Sequence, residues 1–326
     1  MVNTEKSATV RCSTLWALFL LLLTACNVAP GPASVRSTPS PVTAVSEEVA
    51  FLERTPGTLR VMSFNPYWDS LFPDEIAADS FMPRYDKAAA FRRIAAATAP
   101  DLFCLQEIAP ARDPQQIATI LNDALQLDGE GRWRAHSASD SVIASRFDLS
   151  LRQATVVYER DNYSLGHATA LVDLPDAEFD HDVYVVCAHF MAGGEESDIA
   201  LRQAHADQIV AWLADAHTPG GEVDLPAGTP LLVLGDFNVY DTDPAHHLAT
   251  LLTGDVVDED NFGPDAPPDW DGTPLTDALP THNAAGKKRT PGATTGSHST
   301  PAPWTAFSLA TADYRSCAPL CSTPRP

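Results

Sequence analysis

Four nearly continuous apolar segments restrict the fold of this chain more than any other feature of its sequence. They comprise residues 59–64, 101–105, 183–188 and 230–234. Successive side chains of a strand point to opposite faces of its sheet. A short segment that is apolar at almost every position is therefore typical of a central strand covered on both faces. The pattern predicts several buried strands in an α/β fold.

Polar residues follow each of these segments at once. They are Asn65, then Gln106 and Glu107, then His189, and finally Asp236 and Asn238 within Gly235-Asp236-Phe237-Asn238. Alone, the last motif also fits an ordinary turn, since Gly, Asp and Asn are common turn residues. Asp236 and Asn238 are two residues apart, however, so they point the same way from an extended strand end. Ligand-binding groups collect at the strand ends of α/β sheets. Together the four ends predict an oxygen-rich site for a divalent metal and a phosphate.

Six motifs in sequence order resemble those of the endonuclease/exonuclease/phosphatase superfamily, whose fold is that of deoxyribonuclease I. They are Phe64-Asn65, Leu105-Gln106-Glu107, residues 141–147, Ala188-His189-Phe190, Arg202-Gln203 and the Gly-Asp-Phe-Asn motif. The resemblance implies a four-layer α/β sandwich in which two mixed β-sheets are flanked by helices. It also implies hydrolysis of phosphate esters with Mg²⁺, or with Mn²⁺ in its place, and oxygen ligands of this kind suit Mg²⁺.

The resemblance assigns a role to most of the strand-end residues. Glu107 and Asn65 would hold the metal ion, with Glu107 as its direct carboxylate ligand. Asp236 would orient the attacking water or the phosphate, and Asn238 would fix that geometry through hydrogen bonds. His189 would donate a hydrogen bond to a phosphate oxygen as negative charge develops there.

Three further residues are candidates for contact with the substrate. Gln106 precedes the metal-binding glutamate, and Tyr67 and Trp68 lie in the loop of residues 66–85 that follows the first strand end. A loop leaving a catalytic strand end can line the substrate groove. The alternative is that its aromatic residues only cover the sandwich.

The N-terminus predicts an exported lipoprotein. Lys6 and Arg11 precede an apolar run over residues 15–23, which is too short to span a bilayer, and Leu23-Thr24-Ala25-Cys26 resembles a bacterial lipobox. We expect residues 1–26 to be a signal peptide, with lipidation of Cys26. Residues 27–57, rich in Pro, Ser and Thr, would be a disordered tether on the bacterial cell envelope. The alternative is a buried N-terminal helix with an incidental cysteine.

The charge of the chain limits its partners. The formal net charge is −22, which opposes the broad electrostatic grip on nucleic acid that clustered Lys and Arg provide. A metal-bridged phosphate at one site remains compatible with this charge. We expect a monomer whose substrate is a nucleic acid, a phospholipid head group or a small phosphodiester, and the net charge does not choose among these three.

The cysteines do not predict a disulfide framework. Cys12 lies in the predicted signal peptide and Cys26 in the lipobox. Cys104 and Cys187 lie within apolar strands, where we expect them to be small buried hydrophobic residues. A domain of this size seldom depends on disulfides.

Residues 289–326 depart from the family pattern. Members end with two closing strands and a Ser-Asp-His motif, and none of these follows Lys288. Trp304-Thr305 must be encoded TGG-ACN, and reading one base earlier gives GAC, an aspartate codon of the kind that the family ending requires. We therefore interpret the tail as frameshifted and disordered. The domain would then span residues 58–288 with its last strands missing or disrupted. The alternative function is that of a catalytically impaired or non-catalytic binding lipoprotein.

The remaining patterns place elements between the motifs. Helical spacing predicts helices over residues 86–97, from residue 113 onward, and over 197–216, and alternation predicts strands over 131–135, 142–145, 153–158 and 168–174. The chain has 326 residues, 44% of them hydrophobic, which suffices for one domain with a substantial core.

Overall fold

The computed structural model describes residues 57–72, 86–125, 131–160, 163–239, 246–278, 281–282, 287–288 and 308–313. All of them belong to the second of two compact units, Glu48–Pro326. The predicted signal peptide, Cys26 and nearly all of the predicted tether lie outside the described residues. Within the described ranges, no helix combines the length and apolar character that crossing a membrane requires.

The described strands and helices follow one another in an α/β order. The strands are β1 (Thr58–Phe64), β2 (Leu102–Leu105), β3 (Arg134–Ala138), β4 (Ser141–Ser145), β5 (Asp148–Arg160), β6 (Tyr163–Asp173), β7 (Val183–His189), β8 (Leu231–Asp236), β9 (Thr281–His282), β10 (Lys287–Lys288) and β11 (Ser308–Asp313). The helices are α1 (Ala88–Thr98), α2 (Pro114–Ala124), α3 (Glu196–His217), α4 (His246–Thr253) and α5 (Glu259–Phe262).

The strands form two mixed sheets and one small hairpin. The five-stranded sheet has the order β11-β1-β2-β4-β3, and the four-stranded sheet has the order β5-β6-β7-β8. Strand β1 is parallel to β2, and β7 is parallel to β8, whereas the other neighbours are antiparallel. Strands β9 and β10 pair only with each other.

Three hydrophobic cores separate four layers. Helices α1 and α2 cover the outer face of the five-stranded sheet, where Phe91 and Ile117 share a core with Phe103. Helix α3 covers the outer face of the four-stranded sheet, where Ile209 packs in one core with Tyr184. The third core lies between the sheets. This arrangement confirms the sandwich predicted from the sequence.

Strand β2 shows why its sequence is continuously apolar. Leu102 and Cys104 belong to the core between the sheets, whereas Phe103 and Leu105 belong to the core beneath the helices. All four side chains are fully buried. A strand at this position has no solvent-facing side, so alternation between apolar and polar residues is lost.

Helix α2 begins at Pro114, where Asp113-Pro114 predicts its start, because Asp113 and Gln116 cap its first turn reciprocally. Asp113 Oδ1 accepts a hydrogen bond from the Gln115 N–H at 2.8 Å, and Gln116 Oε1 accepts one from the Asp113 N–H at 3.2 Å. Pro114 occupies the first turn, where no intrahelical donor is required. The loop that follows Glu107 therefore ends at a defined residue, Asp113.

Cys104 and Cys187 form a disulfide, so the prediction that both are simple buried hydrophobic residues is wrong. The bond joins β2 of one sheet to β7 of the other across 83 residues of sequence. Each cysteine occupies an inward-facing position of its strand. Which two strands face each other is a property of the tertiary packing, and the sequence pattern of a single strand does not contain it.

Strand β11 lies within residues 289–326, where we expect a disordered tail and last strands that are missing or disrupted. Its backbone pairs antiparallel with β1, with Thr58 opposite Asp313 and Ser63 opposite Ser308. The segment has no proline, and the prolines that would interrupt pairing, including Pro301 and Pro303, precede it. The other residues of the tail lie outside the described ranges.

We predict that Cys104→Ala/Cys187→Ala lowers the free energy of unfolding by about 2–4 kcal/mol, because the crosslink restricts the unfolded chain. Denaturant titration of the full chain measures this loss. A reductant should destabilise the natural chain by a similar amount and leave the double variant unchanged. Equal stability of the oxidised natural chain and the double variant would contradict the prediction.

Candidate active site

Two carboxylates from different sheets meet at the side chain of Asn65. The Asn65 Nδ2 donates hydrogen bonds to Glu107 Oε1 at 2.9 Å and to Asp236 Oδ2 at 3.0 Å. Asn65 and Glu107 follow β1 and β2 of the five-stranded sheet, and Asp236 ends β8 of the other sheet. The structure thus brings three of the predicted strand-end residues together.

The orientation of the Asn65 amide is defined by a neighbouring backbone group. Its Oδ1 accepts a hydrogen bond from the Tyr67 N–H at 2.8 Å, which leaves the NH₂ group to face the two carboxylates. In this arrangement the Asn65 NH₂ group orients the two carboxylates, and its oxygen, the atom that could bind a metal, faces the Tyr67 backbone.

His189 is held by a carboxylate that the sequence analysis did not identify. Its Nδ1 lies 2.6 Å from Asp140 Oδ2, and both side chains are buried. Asp140 is in the short turn between β3 and β4, directly after Ser139. Ser-Asp is an ordinary turn sequence, so only the burial of the carboxylate, visible in the fold, reveals its partner.

The local charge favours an imidazolium at His189. Burial opposes the charge, but the carboxylates of Asp140, Asp236 and Glu107 outweigh it and raise the pKa of His189 to about 9. Burial also raises the pKa of Asp140, although His189 opposes this. We assign an imidazolium–carboxylate pair at neutral pH, because three carboxylates surround one imidazole.

Asn238 connects the ends of the neighbouring strands β7 and β8. Its Nδ2 donates to the Phe190 carbonyl at 2.8 Å and lies 3.3 Å from His189 Nε2, and its backbone N–H donates to Asp236 Oδ1 at 3.1 Å. Gly235 permits this junction, because a Cβ there would lie 1.9 Å from the Ala188 carbonyl oxygen. The motif therefore fixes Asp236 and Asn238 relative to His189.

The three candidates for substrate contact differ in position. Gln106 is 1% exposed, and its Nε2 donates to Ser63 Oγ at 3.2 Å and to the Cys104 carbonyl at 2.9 Å. It faces the interior and supports the end of β2. Tyr67 and Trp68 are half-buried beside the site, with ring centroids 6.5 Å apart.

Lys87 is a cation near Glu107 that the sequence analysis missed. Its Nζ donates to the Pro66 carbonyl at 2.9 Å and lies 5.2 Å from the centre of the Tyr67 ring. Burial lowers the pKa of Lys87, whereas the charge of Glu107 raises it. Its position before α1 carries no motif, and only the fold brings it to the site.

The donor set fits a divalent cation that keeps most of its water. Three carboxylates share the site with the imidazolium of His189, so negative charge is in excess. Burial raises the pKa of the Glu107 carboxyl, which shows the cost of leaving that charge uncompensated. The part of the chain that the structure describes contains no group of three or more His, Cys, Asp and Glu side chains arranged as metal ligands. Mg²⁺, which binds through one or two carboxylates and retained waters, suits such a site.

Sequence comparison identifies the family. The endonuclease/exonuclease/phosphatase family matches residues 67–309, about three quarters of the chain. The chain belongs to this family. Endonuclease/exonuclease/phosphatase proteins hydrolyse phosphate esters, and the match extends past Lys288 into β11. No curated protein sequence matches the chain.

Several solved structures are similar to this family member. Sphingomyelinase C from Streptomyces griseocarneus has 17% sequence identity and a TM-score of 0.41, with 60% of this chain and 70% of that chain covered. An endonuclease/exonuclease/phosphatase protein from Beutenbergia cavernae has 19% identity and a TM-score of 0.38, with 58% and 50% covered. Similarity at this level carries no information on the substrate.

We predict that His189 titrates near pH 9 in the metal-free full chain, and that Asp140→Asn lowers this pKa because it removes the carboxylate that raises it most. The raised pKa means that the pair stabilises the fold fully below about pH 6.5, and that this contribution is lost as the pH rises through about 9. NMR titration of the His189 ring in the natural chain and in Asp140→Asn measures the two pKa values.

Asp101→Asn is the matched control for this titration. Asp101 is a buried carboxylate at the opposite end of β2, where it pairs with Arg146 at 3.0 Å. Its substitution should leave the His189 titration unchanged. An Asp140→Asn protein whose His189 still titrates near pH 9 would refute the assigned pair.

Proposed function

We propose that this chain is a phosphodiesterase that uses Mg²⁺, or Mn²⁺ in its place, held at Glu107. The observation that supports this proposal is the convergence of Glu107 and Asp236 on one amide, with an imidazolium clamped by Asp140 beside them. Nucleic acid, a phospholipid head group and a small phosphodiester are the candidate substrates.

Glu107 would hold the cation. Its Oε1 and Oε2 each accept one hydrogen bond, from Asn65 and from the Trp68 N–H, and each oxygen keeps a further lone pair for a metal. When bound, the cation neutralises charge that develops on the phosphate and lowers the pKa of bound water.

The other side chains supply positioning and proton transfer. Asp236 accepts the proton of the attacking water as the water oxygen bonds to phosphorus. The ester oxygen leaves with the electron pair of the broken P–O bond and takes a proton from solvent. The imidazolium of His189 donates a hydrogen bond to a phosphate oxygen, because Asp140 holds the proton of the opposite ring nitrogen. Asn238 links Asp236 to the Phe190 carbonyl, which directly follows His189.

Glu107→Gln should abolish the Mg²⁺ response and lower turnover of bis-p-nitrophenyl phosphate by at least about 10²-fold, since it removes a charge that acts on the transition state. His189→Gln should lower turnover by about 10²–10⁴-fold at saturating Mg²⁺. The matched control is Glu259→Gln, an exposed carboxylate on α5. Hydrolysis of p-nitrophenyl phosphate, DNA and sphingomyelin vesicles by the same preparations identifies the ester class.

The alternative is a binding protein without turnover, and the absence of a Ser-Asp-His motif after Lys288 is its support. A binding protein would take up Mg²⁺ and a phosphate ester at the same residues and hydrolyse none of these substrates. Metal binding that Glu107→Gln removes, without turnover in the natural chain, would support this alternative over the phosphodiesterase.

We also propose that the mature chain is a lipoprotein on the bacterial cell envelope, outside the cytoplasm. The lipobox at Cys26 is the main support, and the bond between Cys104 and Cys187 agrees with export, since disulfides persist in oxidising compartments. Cys26→Ser should release the chain from the membrane fraction or block its processing. Unchanged processing and fractionation of this variant would refute the anchor.

A further inference from the structure

The turn that follows Asn65 has an unusual backbone. Tyr67, Trp68 and Asp69 have φ values of 69°, 52° and 53°, so three successive non-glycine residues adopt the left-handed conformation. Such residues are uncommon singly, and a run of them persists only where surrounding contacts impose it. Something other than the local sequence must hold this turn.

The turn aims its backbone donors at Glu107. The Trp68 N–H donates to Glu107 Oε2 at 2.7 Å, and the Asp69 N–H donates to the Glu107 carbonyl at 2.7 Å. The Tyr67 N–H meanwhile fixes the Asn65 amide. Consecutive N–H groups of this kind form a concave anion-binding surface. The conformation of three residues therefore sets the direction of the carboxylate.

A buried ion pair holds the turn. Asp69 Oδ2 lies 2.5 Å from Arg112 Nη2, Asp69 Oδ1 accepts from Arg112 Nε at 3.2 Å, and both side chains are almost completely buried. Asp69 Oδ1 also accepts from the Ala109 N–H at 3.1 Å, and the guanidinium lies 4.2 Å from the centre of the Phe72 ring. The pair thus joins the turn of residues 66–72 to the loop that follows Glu107.

We propose that the Asp69–Arg112 ion pair is a positioning device that holds the Tyr67–Asp69 turn against Glu107 and thereby sets the affinity of the site for a divalent cation. The inference rests on the proposed role of Glu107 as the metal-binding residue. The ion pair acts on Glu107 through the turn, whose Trp68 and Asp69 N–H groups donate to the Glu107 carboxylate and carbonyl. A planar guanidinium suits this role because it binds a carboxylate with two donors in fixed directions.

The test measures metal binding in the full chain. Asp69→Asn, Arg112→Gln and the double variant should each raise the Kd for Mn²⁺ and Mg²⁺ by about 10- to 100-fold, the range typical of groups that orient a metal ligand. The two single losses should not add in the double variant, because each breaks the same contact. Arg112→Lys keeps the positive charge but loses the two fixed guanidinium donors. Of these variants it should fold most readily, and it should still weaken metal binding.

A second measurement does not depend on metal. Amide hydrogen exchange at Trp68 in the metal-free protein should be faster in Asp69→Asn and Arg112→Gln than in the natural chain, because the turn no longer holds its N–H on Glu107 Oε2. Turnover at saturating metal should recover in all of these variants. A shift in metal dependence with preserved maximal rate separates positioning from a general loss of structure.

Asp101→Asn/Arg146→Gln is the matched control. This pair includes a buried carboxylate at the far end of β2, so its loss should cost stability and leave metal affinity and Trp68 exchange unchanged. Metal affinity and Trp68 exchange at natural levels in Asp69→Asn and Arg112→Lys would overturn the proposal. If Glu107→Gln also bound metal like the natural chain, the proposed function itself would fail.

Discussion

Face-to-face packing of the two sheets is the constraint on which the candidate site depends. Glu107 ends a strand of one sheet and His189 ends a strand of the other, so neither sheet alone contains the site. The bond between Cys104 and Cys187 crosses the shared core three residues before Glu107 and two residues before His189. A slide of one sheet over the other would therefore separate Glu107 and Asp140 from His189 and Asp236.

The same packing concentrates negative charge in a largely buried site. Asp140 Oδ1 is buried and has no hydrogen-bond partner among the described residues, and burial raises the pKa of both Asp140 and Glu107. Buried charges of one sign cost stability unless they are compensated. Within the described fold, His189 compensates only part of the charge, so a bound cation would stabilise the protein as well as assist chemistry. The clustered carboxylates therefore lower the stability of the fold, as is common where side chains are arranged to bind a ligand.

The sequence predicted the parts of this structure that depend on local pattern. Continuous apolar segments located the central strands, and residues that follow or end them, such as Glu107 and Asp236, meet at Asn65. Asp140, Arg112 and the partnership of Cys104 with Cys187 were not predictable in this way. Each acquires its meaning from a neighbour more than 40 residues away, and each looks ordinary in its own segment: a turn aspartate, a loop arginine, a strand cysteine.

The backbone of the site shows why residue identity was easier to predict than geometry. The structure describes eight non-glycine residues with left-handed φ, and five of them are Tyr67, Trp68, Asp69, Glu107 and Asn238. Local propensity disfavours this conformation by about 1–2 kcal/mol per residue. Sequence patterns report local propensity, so they point away from the conformation that the site requires. Because the strain collects where the sheets meet, the tertiary structure imposes it, and the well-packed cores on either side supply the stability that offsets it.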